Sequence, residues 1–435
     1  MARSVLGAVV ALALCVLLFA SAFEAFPEQP GADFYQFWGV PMGKRLMAAH
    51  DSHQSPYVNP EGYASELNGA VQFSRSEKLH AANALRRTLE PMGTPFLYAV
   101  FAVFPDDYDA AQAIYVALLY LGAGFGVFAL ARLRGLSFRW AACVAFAVEL
   151  TFAPFMIDVR AANVNSLQLA LIAALVWIAA RDFRVGNPLA EGLFLAVLAP
   201  LVIFKPNTLW IALALAIQFV LTRDRRTGLA GIGLALLSSV VALAIGAAYF
   251  GSASTWGEWL GFARRLQSEL PLTLEQGNES IAMWLSRHAG TYGAAGYGVI
   301  LGLALLVAFA LAMTAMGRRT DLLGATAKRA FSSPGFAASV GVLFTFATSP
   351  LVWSHYFVLA LVPILWLVGR DGIRGVGTWG AAICYLALAR ETVDLLVAGG
   401  HMAVLYAITM LSWIALVPGT LGYAVEQRRS LEAAT

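Results

Sequence analysis

Apolar runs long enough to cross a bilayer recur along the whole chain, separated by short polar punctuation. About 20 helical residues cover the roughly 30 Å of hydrocarbon, so each such run reads as a membrane-spanning helix. About twelve windows can be drawn on this basis, near 5–23, 108–131, 138–157, 163–180, 188–204, 207–222, 229–250, 296–317, 336–352, 354–369, 375–394 and 402–423. The apolar segment 94–104 is too short to cross and is expected as a re-entrant or interfacial piece. The pattern predicts an all-α polytopic membrane protein, with residues 1–435 forming a single integral membrane domain.

Basic residues mark alternate connections. Arg132, Arg134 and Arg139; Arg181 and Arg184; Arg223, Arg225 and Arg226; Arg318, Arg319, Lys328 and Arg329; and Arg370 and Arg374 fall on one side, with Arg3, Arg428 and Arg429 at the ends. Lys and Arg in short loops resist translocation, so this side is cytoplasmic and both termini lie there. The two long connections, about 24–107 and 251–295, are then extracytoplasmic, and the protein is expected as a multi-pass plasma-membrane protein. Ala20-Ser21-Ala22 has the form of a signal-peptidase site, but cleavage there would leave the following loop on the same face. Within the first loop, Leu79, Ala82, Leu85 and Leu89 recur at helical spacing against Lys78, Arg86 and Arg87, which predicts a helix lying flat on the leaflet.

Composition agrees with a chain dissolved in lipid. It is 59% hydrophobic and 13% charged, with a mean hydropathy of +0.70, beyond what a soluble domain keeps in water. A net charge of +3 gives no reason to expect nucleic acid as a partner. Cys15, Cys143 and Cys384 lie in separate apolar stretches, and the six histidines are scattered, so neither a disulfide framework nor a metal site is indicated. Asp106-Asp107-Tyr108-Asp109 immediately precedes a span, where acids are expected to cap a helix and meet its positive end. Arg390 and Asp394 are spaced to pair on one helix face, and Trp256 and Trp259 suit an interfacial belt. Glu149, near the middle of the third expected span, is the costly exception, expected as a protonated carboxyl bonded to a neighbouring helix.

The remaining polar groups gather where spans end on the outer face. Asp33 follows the first span, and Asp158, Arg160, Asn163 and Asn165 lie in the next outer turn. Lys205-Pro206-Asn207, Gly277-Asn278-Glu279-Ser280 and Ser349-Pro350-Leu351-Val352-Trp353-Ser354-His355-Tyr356 follow in order. Distant segments thus bring an acid, several cations, a histidine and a set of amides to one membrane face, which marks a site. This ordered set resembles glycosyltransferase family 87, the polyprenyl-phosphate-mannose-dependent mannosyltransferases of the GT-C superfamily. The combination carries the likeness, above all S-P-x-x-W-x-H-Y. Where the family commonly has Gly-Gln before Val-Asn this chain has Ala162-Asn163, and its N-Q-S reads N-E-S at Asn278 to Ser280.

The resemblance implies a GT-C-type helical bundle with interfacial helices in its long first loop. It implies transfer of a sugar, mannose foremost, from a polyprenyl phosphate carrier to a lipid or glycan acceptor on the extracytoplasmic face, with inversion at the anomeric carbon. Asp33 would be the general base, while Arg160, Lys205 and His355 would meet the charge of the leaving phosphate. Asn163, Asn165, Asn278 and Ser280 would hold sugar or acceptor hydroxyls. Tyr35, Trp38 and Trp353 would either stack on a sugar or anchor the interface. No metal or other cofactor is expected. A polyprenyl-phosphate-arabinose donor is the nearest alternative. A transporter or lipid flippase would place its polar groups at the midplane and show internal repeats, and a scaffold would not need the converging charges.

Overall fold

The computed structural model describes residues 30–48, 55–86, 88–181, 187–269, 277–290, 293–314, 323–370, 372 and 374–433. The first expected span, 5–23, and Ala20-Ser21-Ala22 lie outside them. The regular elements among the described residues are all helical, with no strand.

The first loop folds into α1 (Ala32–Ala48), α2 (Pro60–Gln72), α3 (Glu77–Leu85) and α4 (Pro95–Phe101). Caps explain where three of them begin: Asn59, Ser76 and Thr94 accept from the N–H groups of Gly62, Leu79 and Leu97, satisfying donors that a first turn leaves open. The helix expected over 78–90 stops at Leu85, because Arg86 leaves the helical region at φ −133° and ψ 48°. The short apolar piece at 94–104 is realised as α4, opened by Pro95, whose missing N–H costs nothing at that position.

The bundle continues through α5 (Tyr108–Leu133), α6 (Phe138–Thr151), α7 (Ala153–Ala161), α8 (Asn165–Arg181), α9 (Pro188–Phe204), α10 (Leu209–Thr222) and α11 (Arg225–Phe250). The second loop supplies α12 (Thr255–Glu269) and α13 (Ile281–Ala289), followed by α14 (Ala294–Thr314), α15 (Leu323–Phe331) and α16 (Pro334–Thr348). A 3-10 segment (Ser354–Ala360) leads into α17 (Leu361–Leu367), and α18 (Val376–Ala387), α19 (Arg390–Ala398), α20 (Met402–Ser412) and α21 (Leu416–Glu432) complete the described chain.

Fewer of these helices are full-length spans than the apolar windows suggest. Tyr108–Leu133, Arg226–Phe250, Ala294–Leu311 and Met402–Glu432 are long and apolar enough to cross, and α15 with α16 forms a pair bent by 97°. Five further apolar helices are shorter, among them Asn165–Arg181 and Pro188–Phe204. Polar chemistry and backbone breaks inside the windows account for the difference. The window 138–157 divides at Phe152, which is extended (φ −98°, ψ 103°) and bridges to Ala389 before α7 starts at Ala153-Pro154. The window 354–369 begins as the 3-10 segment, and 375–394 is interrupted between α18 and α19.

Packing places α16 at the centre, buried from Pro334 to Ala347, with α10 running alongside it and α5 lying along α6 and α8. Small residues permit the close approach: a Cβ at Gly126 of α5 would lie 2.8 Å from Leu169 Cγ of α8. Gly124 of α5 makes room in the same way for Glu149, whose Oε1 would lie 2.8 Å from a Cβ there. On α11 and α14 the apolar Leu236, Val240, Val299 and Leu303 remain exposed. An unbroken apolar outer surface of this kind is what a bilayer covers.

Candidate active site

The segment Gly31 to Trp38 places Asp33 by burying nearly everything around it. Gly31 takes φ +66°, and a Cβ there would meet Gln112 Nε2 at 2.7 Å, so the entry to α1 requires glycine. Phe34 stacks on Tyr115 at 5.0 Å between ring centroids, and Trp38 donates its indole N–H to Pro105 O at 2.9 Å. Tyr35 donates its hydroxyl to Asn83 Oδ1 at 3.0 Å. Tyr35 and Trp38 are 1% and 2% exposed, so their rings, expected either to stack on a sugar or to anchor the interface, pack inside the protein core. What reaches the surface from the first turn of α1 is the Asp33 carboxylate.

That carboxylate meets the turn between α7 and α8. Asn163 Nδ2 donates to Asp33 Oδ2 at 2.7 Å, and Asn163 Oδ1 accepts from Lys205 Nζ at 2.7 Å. An acid on one side and an ammonium on the other leave one sensible orientation for this amide. The backbone is shaped to present it: Ala162 sits at φ +52°, a left-handed conformation that costs a non-glycine residue about 1 kcal/mol or more. Tyr115 donates its hydroxyl to Asn163 O at 2.8 Å and pins the turn from α5.

Asp158 supports the same turn from beneath. Fully buried, it accepts from Asn165 Nδ2 at 2.8 Å and from the backbone N–H and hydroxyl of Ser166 at 2.9 and 2.6 Å. Burial pushes its carboxyl above the usual range, while the Ser166 and Asn165 hydrogen bonds and the Lys205 charge pull it back. Its oxygens satisfy the first turn of α8 and are not open to a ligand. Asn165, expected to hold a sugar hydroxyl, is fully buried, bonded to Asp158, and accepts from Lys205 Nζ at 3.3 Å.

Lys205 ends α9 in an extended conformation (φ −151°, ψ 111°) ahead of Pro206, which points its chain back into the cluster. Its ammonium also lies 4.5 Å from the centre of the Tyr356 ring. Desolvation lowers its pKa from 10.5 to about 8, against the opposing pull of Asp158 and Asp33.

The second wall is built from two distant loops. Asn278 bridges to Trp353, Glu279 N–H donates to Val352 O at 2.7 Å, and Asn278 Oδ1 accepts from Val352 N–H at 3.0 Å. Asn278 Nδ2 donates to Pro350 O at 3.1 Å, while Ser280 Oγ donates to Ser349 O at 2.5 Å and caps α13 through Met283 N–H. Asn278 and Ser280, expected at sugar hydroxyls, are thus turned onto backbone, where they clamp the two loops together. Glu279, between them, is buried as well. Ser354 donates to Glu279 Oε1 at 2.8 Å, Glu279 Oε2 has no hydrogen-bond partner among the described residues, and burial raises this carboxyl's pKa from 4.5 to about 8.

The clamp delivers His355, whose buried Nε2 has no hydrogen-bond partner among the described residues. The imidazole lies within electrostatic reach of Asp33, Lys205 and Arg86. A buried, unpaired ring nitrogen beside an acid and two cations is a group held ready for a ligand.

Arg160 stands apart. It is exposed on the last turn of α7, and among the described residues no hydrogen bond or ion pair ties it to Asp33 or Lys205. The guanidinium that meets Asp33 is that of Arg86, at 3.2 Å from Oδ1. From sequence, Arg86 belonged to the polar face of a loop helix; that the helix ends one residue before it, over Asp33, had no local signal.

The arrangement defines a polytopic helical membrane protein with a charged, hydrogen-bonded centre where α1, α7, α9 and the 3-10 segment meet. The family model for glycosyltransferase family 87 matches residues 90–339, more than half of the chain. The chain belongs to that family and is a glycosyltransferase, with a sugar donor and an acceptor as its partners. No curated protein and no solved structure matches it. The matched stretch holds Arg160, Asn163, Asn165, Lys205 and Asn278 to Ser280. Asp33 and the segment Ser349 to Tyr356 lie outside it and join it through the Asn163–Asp33 bond and the Asn278–Trp353 bridge.

Proposed function

We propose that the protein transfers a glycosyl residue, mannose foremost, from a polyprenyl phosphate carrier to a lipid or glycan acceptor on the extracytoplasmic face, with inversion at the anomeric carbon. The observation that carries this reading is the chain of contacts from Asp33 through Asn163 to Lys205, with the unpaired His355 Nε2 beside it. It sets an acid and a fixed cation at opposite ends of one amide. The acceptor hydroxyl is a weak nucleophile, and Asp33 takes its proton as the new bond to the anomeric carbon forms. The bond from that carbon to the phosphate oxygen breaks, and the polyprenyl phosphate leaves with the electron pair. Lys205 meets its charge in a partly desolvated setting, where such contacts are strong, and His355 donates to or orients the same oxygens.

The cations that answer a monophosphate are built in, so the reading includes no metal requirement. A bilayer-dissolved donor also suits a site opening among apolar helices and amphipathic loop helices. The deciding experiment supplies purified protein in nanodiscs with labelled polyprenyl-phosphate-mannose and a membrane lipid extract. Appearance of a labelled product, lost in Asp33→Asn, supports the reading. Transfer from a nucleotide sugar and not from the lipid donor would overturn it.

A further inference from the structure

Arg86 is placed with more care than a surface cation needs. The chain on both sides of it is tied down: Tyr35 donates to Asn83, Ser76 Oγ donates to Asp109 Oδ1 at 2.7 Å, and Glu90 N–H donates to Gln36 Oε1 at 3.0 Å. These bonds fix the backbone around residue 86 over the first turn of α1. The guanidinium itself is held loosely. It gives Asp33 Oδ1 one contact at 3.2 Å and lies 3.8 Å from Glu90, with more than a third of the side chain exposed. A well-made charge-assisted bond is nearer 2.7–2.9 Å and is often bidentate for arginine. By contrast, the Asn163 bond to the other oxygen is 2.7 Å.

The two ends of the site differ in the same way. Lys205 is engaged by Asn163, Asn165 and the Tyr356 ring. Arg86 has donors to spare, a planar fork suited to phosphate, and a place within electrostatic reach of His355. Its present partner is the wrong one for catalysis, since the guanidinium covers Oδ1 of the carboxylate that has to face an acceptor hydroxyl to take its proton.

We propose that Arg86 is a ligand of the donor phosphate, and that Asp33 holds it only until that phosphate arrives. This rests on the proposed lipid phosphate donor. Binding then exchanges partners: the guanidinium turns from Asp33 to the phosphate oxygens, and Asp33 is left facing the acceptor hydroxyl with Asn163 alone. The carboxylate is uncovered only when a donor is in place, which couples proton abstraction to donor occupancy.

The test measures binding of a sugar-free polyprenyl monophosphate, with the neutral polyprenol as control, to full-length protein in nanodiscs. Wild type, Arg86→Gln, Arg86→Lys, Asp33→Asn and the double variant Asp33→Asn/Arg86→Gln are compared. Loss of one charge-assisted contact weakens monophosphate binding about tenfold in Arg86→Gln, with Arg86→Lys in between. Asp33→Asn removes the competing carboxylate and tightens binding several-fold, and that gain vanishes in the double variant. Wild-type affinity in Arg86→Gln, or a gain that survives in the double variant, overturns the proposal. So does an equal loss of monophosphate and polyprenol binding in both Arg86 variants, which would assign Arg86 to holding the loop. A wild type that does not distinguish monophosphate from polyprenol would instead overturn the donor class, and this inference with it.

Discussion

Asn163 donates its side-chain amide to Asp33 at 2.7 Å, and through the oxygen of the same amide it receives the ammonium of Lys205. One side chain thereby sets the spacing between an acid and a cation that come from opposite ends of the first half of the chain. The strained backbone at Ala162 and the Tyr115 hydroxyl both act on this one turn, which is where a site that depends on orientation would be held most firmly.

Asp33→Asn keeps the shape of the side chain and one hydrogen-bond acceptor while removing its basicity. Turnover is expected to fall about a hundredfold or more, the scale of a lost general base, without loss of donor binding. Steady-state transfer and donor binding on the same nanodisc preparation check this, and wild-type turnover would remove Asp33 from the mechanism. Asn163→Leu is expected to lower turnover and weaken donor binding together, because it frees both ends of the pair at once.

Much of the fold was legible because membrane helices are written in a simple code. Apolar runs, caps and prolines mark where α4, α5, α9 and α16 begin, and Asp107 caps α5 through Ala110 N–H at 2.8 Å as its position suggests. Arg390 and Asp394 likewise pair at 3.3 Å. Span number was harder to read, since hydropathy averages over breaks such as Phe152 that are set by contacts with Ala389, far along the chain. At the site, residue type was legible and direction was not. Tyr35 and Trp38 are suited to a sugar and are packed into the core, and Asn278 and Ser280 bond backbone. Arg86 gained its partner from the point at which α3 ends. Each depends on tertiary contacts that no window of sequence contains.

Lys205 gives a pH signature. Its pKa lies near 8, lowered from 10.5 first by desolvation, so its charge is present below that value and lost as pH rises through it. A phosphodiester donor keeps its own charge over this range. Donor affinity is therefore expected to fall as pH rises through about 8, and Lys205→Arg, which stays protonated, is expected to flatten that fall. Lys205→Ala is expected to weaken donor binding about tenfold at neutral pH, while His355→Ala mainly slows turnover. Donor KM and kcat across pH 6.5–9.5 separate these effects. A KM for wild type that is flat across that range, or unchanged in Lys205→Ala, would place the phosphate elsewhere.

Glu279 makes a second titration, one that acts on stability. Its folded pKa is raised by burial from 4.5 to about 8, with the Ser354 bond opposing the shift. Between those values the folded state binds more protons than the unfolded state, so stability is greatest below the unfolded value and is lost as pH rises toward about 8. Glu279→Gln has no charge to bury and keeps an acceptor for Ser354. Its melting temperature is expected to match wild type near pH 4.5 and exceed it above pH 8. Parallel melting curves for the two proteins across this range would show that Glu279 does not titrate in the fold.

The acidic cluster before α5 offers the sharpest test of metal dependence. Asp106 pairs with Arg45 at 2.6 Å, Asp107 caps α5, and Asp109 accepts from Ser76 at 2.7 Å. Each carboxylate is already engaged, Asp107 and Asp109 with partners that ask only for an oxygen acceptor. Asparagine supplies that acceptor at a helix N-cap about as well as aspartate, so Asp107→Asn and Asp109→Asn preserve the fold while removing the charge a hard cation needs. On the proposed mechanism Lys205 and Arg86 meet the phosphate, and the double variant is expected to keep most of its turnover, as is wild type in excess EDTA. Loss of transfer in EDTA, restored by magnesium or manganese in wild type but not in the double variant, would move the charge-stabilising group from those cations to a metal held at Asp107 and Asp109.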